Sequence, residues 1–269
     1  MIHKFLYWFI RSTPRTKRWF WKKWYTIFAS KALNPDFRFM NYGYYDEGFK
    51  PQLNSTDEKE RYPIQLYHHV ATQINLEKKL VLEVGSGRGG GAEYIAKNLK
   101  PEKITGLDIS ETAVKLCNSL YDVENLNFVA GDSENLPFPN ECFDVVINVE
   151  SSHCYGNMDA FVKEVFRVLK PGGYFSWVDL RGADMIQALE VALSHPQLQL
   201  VRNEIITENV IQALDEIHER KIDLIREYIP KWIQPAFKDF AGVKNSKIYN
   251  AFKDGSALYL AKTYQKTRY

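Results

Sequence analysis

A glycine-rich turn between a short apolar stretch and a predicted helix is the strongest chemical signal in this sequence. Residues 81–91 are Val-Leu-Glu-Val-Gly-Ser-Gly-Arg-Gly-Gly-Gly. Glycines allow the backbone to bend sharply and to approach a ligand closely. The helix that follows offers unpaired N–H groups and the positive end of its dipole. Gly85, Gly87 and Gly90 also fit the spacing G-x-G-x-x-G of a dinucleotide site, although that match alone is weak.

Carboxylates near this turn favour S-adenosylmethionine over a nicotinamide nucleotide as the cofactor. Glu83 lies two residues before the first glycine, where its carboxylate can face the charged amino-acid part of S-adenosylmethionine. Asp108 ends the second predicted strand and would accept hydrogen bonds from ribose hydroxyls in either case. Asp132, with Ser133 beside it, follows the third predicted strand and is placed to accept from the adenine amino group. We include Ile109 in the same predicted cofactor site, and S-adenosylhomocysteine would be the product.

A histidine after the fourth predicted strand is the first candidate for a general base. Methyl transfer is a direct displacement, so the protein mainly positions and desolvates the reactants. An alcohol acceptor must also lose a proton, and the ordinary pKa of histidine, about 6.5, suits His153 to take it. The alternative is that His153 only orders its loop. Glu150 is the second candidate, and it could hold an acceptor hydroxyl, the cofactor's amino group or a helix N-terminus.

Other polar residues near the predicted site have structural explanations. Asp179 and Arg181 end the fifth predicted strand, and a salt bridge between them is expected more than contact with the acceptor. His68 and His69 are adjacent on a predicted helix, so at most one of them faces the site.

Neither the histidines nor the cysteines predict a metal site. His153 and Cys154 are neighbours, but no further ligands stand at useful spacing. The three cysteines, Cys117, Cys142 and Cys154, are too few and too scattered for a disulfide framework. The sequence therefore predicts a reducing, cytoplasmic compartment.

Strands and helices alternate around these residues. The predicted strands are residues 80–84, 103–108, 127–130, 143–149 and 174–180, with helices at 61–74, 90–99, 111–121 and 158–169. Such alternation predicts an α/β fold with a doubly wound, Rossmann-like parallel sheet. The turn Pro171-Gly172-Gly173 would lead into the fifth strand. Ligands bind at the carboxyl ends of the strands in such sheets, where the candidate residues lie.

The rest of the chain is predicted to cover the site. Residues 1–60 are interpreted as an N-terminal segment that controls access, and residues 61–269 as one catalytic domain with its cofactor core at about 79–181. Helices are expected at 184–193 and 208–228, a short strand at 198–205 and a last edge strand at 257–265. Residues 206–254 would form a largely helical cap over the substrate side, and an apolar stripe in this cap predicts core packing or an apolar acceptor pocket.

The charge distribution says more than the net charge of +2. The first 35 residues contain eight Lys or Arg, many aromatic residues and no Asp or Glu. This composition suits peripheral contact of residues 1–30 with a lipid interface, although the aromatic residues could instead pack on the domain. The rest of the chain is mildly acidic, which argues against nucleic-acid binding. The oligomeric state is left open.

The order of the motifs resembles one enzyme family. Over about 100 residues the sequence is similar to the ubiquinone/menaquinone-type class I methyltransferases, through the motifs at residues 83–89, 107–110, 131–138, 143–146 and 169–173. Further segments resemble the subgroup of phthiotriolone and phenolphthiotriolone dimycocerosate methyltransferases and fatty-acid O-methyltransferases: residues 40–46, 66–69, 89–91, 150–155, 178–181 and 205–207. The likeness weakens in the cap.

This resemblance implies methyl transfer to a hydroxyl of a lipid, a polyketide or another apolar small molecule. By the family pattern, Tyr44 and Tyr45 would approach the methionine end of the cofactor, together with the glycines and carboxylates named above. Three alternatives stay open: C-methylation of a quinone- or sterol-type acceptor, a nicotinamide-dependent oxidoreductase on the same sheet, and a non-catalytic protein that binds the cofactor.

Overall fold

The computed structural model describes residues 38–268. Seven strands are present in this part of the chain: β1 Leu80–Val84, β2 Lys103–Asp108, β3 Leu126–Ala130, β4 Phe143–Val149, β5 Leu169–Gly182, β6 Leu198–Ile205 and β7 Ala257–Lys266. Nine α-helices accompany them: α1 Arg61–Ala71, α2 Gly90–Asn98, α3 Glu111–Leu120, α4 Met158–Val168, α5 Ile186–Leu193, α6 Thr207–Glu216, α7 His218–Tyr228, α8 Gln234–Ala241 and α9 Lys247–Lys253. The predicted membrane-binding segment, residues 1–30, lies outside the described residues.

The strands form one sheet in the order β3-β2-β1-β4-β5-β7-β6. The first five pair in parallel, as predicted, whereas β7 runs antiparallel to both β5 and β6. The sheet is therefore mixed, not fully parallel. Strand order reverses between β1 and β4, and in open α/β sheets ligands bind at the carboxyl ends of the strands on either side of such a reversal.

The central strands are buried on both faces. Val81 and Ile147 pack into one apolar cluster, while their neighbours Leu82 and Val146 pack into a second one. Alternate side chains of a strand point to opposite faces, so continuous apolar runs such as β1 and β4 require helices on both sides of the sheet. These covered strands hold the ends of β1, β2 and β4 rigidly in place.

The prediction that β7 is the edge strand was wrong. β7 lies between β5 and β6, with Tyr174 opposite Gln265 at one end and Gly182 opposite Ala257 at the other. The edge strand on this side of the sheet is β6, which is mostly exposed. Nearly every residue of β7 is buried, and this is what a strand with neighbours on both sides needs.

The fifth strand begins earlier than predicted. Leu169 already pairs with Phe143, and the next pair joins Tyr174 to Val145, so the residues between form a bulge within β5. Gly172 has φ of 80° in this bulge, a conformation that favours glycine. The predicted Pro-Gly-Gly turn is therefore an irregularity inside the strand.

The cap region is helical but more divided than predicted. The single helix expected at 208–228 is two helices, α6 and α7, which meet at Ile217. Ile217 has φ of −95° and ψ of 4°, which is a small departure from helical geometry. The junction between the two helices contains neither glycine nor proline. The apolar stripe continues across the break, and for this reason the sequence pattern did not reveal the break. Within residues 38–268, no helix combines the length and apolar character needed to cross a bilayer.

Candidate active site

The main cavity opens at the carboxyl ends of β1, β2 and β4, where the strand order reverses. Of the predicted site residues, it brings together Gly85, Gly87, Asp108, Ile109, Asp132, Ser133, Glu150 and His153. The other side of the cavity is closed by residues 38–42, which precede the first helix, and by Phe240 of α8. One wall is thus the glycine-rich turn and its carboxylates, and another is the segment that enters the domain.

The turn after β1 requires glycine at two positions. Gly85 and Gly87 have φ of 80° and 53°, where side chains cause strain. A Cβ on Gly85 would also lie 2.3 Å from the Oγ of Ser151, and one on Gly87 would lie 2.8 Å from the Cε of Met40. The close approach of two neighbouring loops therefore excludes side chains at both positions.

Glu83 lies below the turn, is fully buried and does not itself line the cavity. Its Oε1 accepts a hydrogen bond of 2.8 Å from the hydroxyl of Tyr67, which itself lines the cavity. Burial raises the pKa of Glu83 to about 7, although the Tyr67 hydroxyl opposes the rise. Its Oε2 is buried without a hydrogen-bond partner among the described residues. A buried acceptor of this kind fits a cationic ammonium group.

Asp108 holds the turn as well as lining the cavity. Its Oδ2 accepts from the N–H of Gly87 at 2.9 Å, and its Oδ1 accepts from the N–H of Ser110 at 2.8 Å. Burial raises the pKa of Asp108 to about 6, against the effect of these two N–H groups. The end of β2 is thus tied to the turn after β1, and its carboxylate lines the cavity. Ser110 also caps α3, as predicted, by accepting from the N–H of Ala113.

The loop after β3 supplies another side of the cavity. Asp132 accepts at its Oδ1 from the N–H of Glu134 at 3.0 Å, and Ser133 beside it is buried. Glu134 in turn accepts at Oε1 from the N–H of Gly156 at 2.7 Å. These bonds fix the loop against the segment that follows β4, so both acidic residues keep their places at the cavity.

Glu150, directly after β4, connects three parts of the chain. Its Oε2 accepts from the N–H of Tyr42 at 2.8 Å and from the hydroxyl of Tyr259 in β7. Burial raises the pKa of Glu150 to about 7, although the two hydrogen bonds oppose the rise. The residue has φ of 45°, which is uncommon outside glycine. Glu150 therefore holds the entering segment over the sheet at the edge of the cavity.

His153 forms a hydrogen-bonded pair with Asp179. The Nδ1 of His153 lies 2.8 Å from Oδ1 of Asp179, and the backbone N–H of His153 donates to Oδ2 of the same carboxylate at 2.8 Å. Burial alone would lower the pKa of His153, but the neighbouring Cys154 and the carboxylate of Asp179 outweigh it and raise the pKa well above its usual 6.5. Asp179 therefore fixes the ring orientation and stabilises the imidazolium form.

Asp179 is fully buried and is held by further donors. The hydroxyl of Ser152 donates to its Oδ2 at 2.6 Å, and the guanidinium of Arg181 lies 3.0 Å from the same oxygen. Burial favours the neutral acid, but the positive groups of His153 and Arg181 hold the pKa of Asp179 well below its ordinary value. The predicted salt bridge with Arg181 is confirmed. The sequence did not indicate that the same carboxylate binds His153.

Besides Glu83, which is buried behind the cavity lining, two tyrosines of the predicted cofactor set lie away from the cavity. Tyr44 stacks on His69 with 4.3 Å between ring centroids, and Tyr45 stacks on Tyr62 at 5.7 Å. Neither lines the cavity, whereas Tyr42 of the same segment does. The pattern Tyr42-Gly43-Tyr44-Tyr45 marks the right segment, but the positive φ of Gly43, 87°, redirects the chain between Tyr42 and the other two.

The two adjacent histidines of α1, His68 and His69, also lie away from the main cavity. The Nε2 of His69 lies 3.0 Å from Glu204 in β6, and the Nδ1 of His68 lies 2.8 Å from the hydroxyl of Tyr94. Neither residue lines the main cavity. Their contacts are therefore structural, between α1 and its neighbours.

The comparisons with known proteins agree with this geometry. A family model described as a methyltransferase domain matches residues 82–177. The phthiotriol/phenolphthiotriol dimycocerosates methyltransferase of Mycobacterium leprae is 37% identical over 247 residues, which cover 91% of this chain and 92% of the relative. The fatty-acid O-methyltransferase of Mycolicibacterium smegmatis is 40% identical over 215 residues, which cover 79% of this chain and 77% of the relative.

A solved structure shows the same fold at much lower identity. Geranyl diphosphate C-methyltransferase from Streptomyces coelicolor A3(2), crystallised with Mg²⁺, geranyl diphosphate and S-adenosyl-L-homocysteine, superposes with a TM-score of 0.62 at 14% identity. The match covers 90% of this chain and 98% of that chain. At this identity the likeness concerns the fold alone.

Proposed function

Because the chain belongs to the class I S-adenosylmethionine-dependent methyltransferases, we propose that it moves a methyl group to a hydroxyl oxygen of a lipid or another apolar small molecule. Family membership decides against the oxidoreductase and the non-catalytic alternatives. The observation that carries the choice of a hydroxyl is the pair of His153 and Asp179 at the cavity. A base held by a buried carboxylate is what an alcohol acceptor requires.

The cofactor would be held by the glycine-rich turn and the three acidic segments around it. S-adenosylmethionine supplies, when bound, an electrophilic methyl group on a positively charged sulfur. Glu83, buried below the turn, would balance the charge of its ammonium group, and Asp108 offers acceptors for its ribose. Asp132, Ser133 and Ile109 would border the adenine. The excess of carboxylates also suits a cationic ligand.

His153 would remove the proton of the acceptor hydroxyl. Its Nδ1 faces Asp179, and this carboxylate would stabilise the imidazolium that forms when the ring takes the proton. The raised pKa makes the imidazolium a stable product of this step. A positive sulfur nearby would lower the same pKa and so favour the neutral, proton-accepting ring when the cofactor is present.

Glu150 would position the reactants and not act as the base. Its Oε2 already accepts from the backbone of Tyr42 and from the hydroxyl of Tyr259. These contacts close the cavity by fixing residues 40–42 over the ends of the strands. Exclusion of water strengthens the interactions of the charged groups inside.

The apolar nature of the acceptor is supported by the wall opposite the turn and by the relatives. Phe39, Met40 and Phe240 line the cavity on that side. The relatives named above are methyltransferases of dimycocerosates and of fatty acids. An apolar surface beside one hydrogen-bonding base suits a lipid alcohol.

The test is methyl transfer from labelled S-adenosylmethionine to a lipid extract and to defined long-chain alcohols, followed by mass spectrometry of the products. The proposal predicts a labelled methyl ether. Label found only on ring or chain carbons would replace O-methylation by C-methylation, and no label in any product would overturn the acceptor class.

A further inference from the structure

A second cavity adjoins the main one on its cap side. Both cavities are lined by Phe39, Met40, Asn41 and Phe240. These shared residues form the boundary between them, so a chain extending from the main cavity toward the second would pass beside Met40.

The walls of the second cavity are mainly aliphatic and aromatic. They include Leu224 and Ile225 of α7, Phe237 of α8 and Ile217 at the start of α7. Ile225 and Phe237 belong to a small apolar cluster separate from the two clusters that flank the sheet. Apolar walls around a space favour an apolar occupant, because they offer water few hydrogen bonds.

The charged residues of the second cavity are already engaged at its margin. Arg220 forms an ion pair with the buried Glu60. The Nζ of Lys221 donates to the carbonyl of Ala241 at 2.8 Å and lies 5.2 Å from the centre of the Tyr42 ring. Burial lowers the pKa of Lys221 to about 8. The cations therefore serve protein contacts, and the space favours a hydrocarbon over an anionic head group.

We propose that the second cavity holds the hydrocarbon tail of the acceptor while the oxygen to be methylated lies beside His153. Tyr42 lines the main cavity and contacts Lys221 of the second, so this pair marks the passage between head and tail. The inference rests on the proposed function, and it adds that the enzyme selects acceptors by the length of their chain.

The first test uses the wild-type protein and cis-parinaric acid, a fluorescent long-chain fatty acid. Straight-chain alcohols from octanol to hexadecanol would displace the probe with affinity that rises about fourfold per added methylene until the cavity is filled, since each buried methylene contributes about 0.8 kcal/mol. The absence of saturable probe binding, or equal affinity for all chain lengths, would overturn the proposal.

The second test fills the cavity. Leu224 is half-buried and lines only the second cavity, so Leu224→Trp would displace about two methylenes and weaken hexadecanol binding at least about tenfold, with octanol unchanged within about twofold. Glu227→Trp, an exposed position on the same helix, is the matched control and would leave both affinities unchanged. Equal hexadecanol affinity in both variants would overturn the proposal.

A separate measurement distinguishes this proposal from the proposed function. S-adenosylhomocysteine affinity, measured on the same samples by calorimetry, would be unchanged in both variants. Absence of S-adenosylhomocysteine binding by the wild-type protein would overturn the proposed function. Normal affinity without dependence on chain length would overturn only the tail site.

Discussion

The imidazole Nδ1 of His153 lies 2.8 Å from the carboxylate Oδ1 of Asp179, and that carboxylate is fully buried. Asp179 lies near the end of β5, and His153 follows the end of β4. The parallel pairing of β4 with β5 therefore brings the two residues together. The contact fixes the orientation of the imidazole ring.

Replacing His153 by alanine would remove the proton acceptor without disturbing the cofactor wall. We predict that His153→Ala keeps the affinity for S-adenosylhomocysteine within about twofold and lowers kcat about 100-fold or more, the usual contribution of a general base. Single-turnover and steady-state assays check this. The control, His195→Ala, changes a histidine that stacks on Phe166 away from the cavity and would keep full activity. Near-normal turnover of His153→Ala would contradict the assigned role.

The wild-type enzyme would lose activity on acidification. His153 must be neutral to accept a proton, and its pKa is raised well above 6.5, so kcat/KM should rise with pH and level off above that raised pKa. Below it the rate would fall about tenfold per pH unit. A pH profile of kcat/KM measures this limb. A flat profile between pH 6 and 8 (roughly the range in which histidine titrates) would disagree with the prediction.

Asp179→Asn would move this acidic limb. The substitution removes the anion that stabilises the imidazolium, so the pKa of His153 should fall and the limb should shift to lower pH. We also predict a decrease in kcat of about tenfold or more, because the amide orients the ring less firmly. The control, Asp144→Asn, changes a carboxylate paired with Lys170 and would leave the limb in place. An unchanged limb in Asp179→Asn would show that the pair is only structural.

Glu83→Gln would separate stability from cofactor binding. The folded state raises the pKa of Glu83 from 4.5 to about 7, so it holds this proton more tightly than the unfolded chain does. The contribution of Glu83 to the unfolding free energy therefore decreases as pH rises from about 4.5 to 7. The uncharged variant lacks this decrease, and its Tm relative to wild type should be higher at pH 8 than at pH 5.

The same variant should bind S-adenosylmethionine about tenfold more weakly, because the anionic partner of the ammonium group is gone. Thermal unfolding at several pH values and calorimetry check both effects. Glu124→Gln, at an exposed position, is the control and should alter neither. Unchanged affinity in Glu83→Gln would show that the buried carboxylate does not contact the cofactor.

Much of the sheet could be predicted because its strands are buried on both faces. The bounds of β1, β2 and β4 agree with the predicted residues 80–84, 103–108 and 143–149, since each is a short apolar run that ends at a glycine or a carboxylate. The position of β7 could not be predicted in this way. Strand order depends on which segments meet after the chain has crossed the sheet, and local periodicity does not contain that information.

The same limit explains what the sequence missed in the candidate site. Gly85, Asp108 and Asp132 follow parallel strands, and such strands end at one edge, so their grouping follows from the fold class. The contact of His153 with Asp179 needs the pairing of β4 with β5, which is tertiary information. The sequence analysis placed Tyr44 and Tyr45 at the cofactor and not Tyr42. The change in chain direction at Gly43 decides which of these side chains meets the cavity, and the sequence pattern does not show it.

Ligand binding by the purified protein tests the central claim most directly. Thermal unfolding with S-adenosylmethionine, S-adenosylhomocysteine and NAD compares the three compounds on one protein preparation, because a ligand that binds only the folded state raises Tm by an amount that grows with the logarithm of its concentration over its Kd. The account predicts a concentration-dependent rise in Tm with the first two and none with NAD. A rise with NAD alone, or with none of the three, would contradict it.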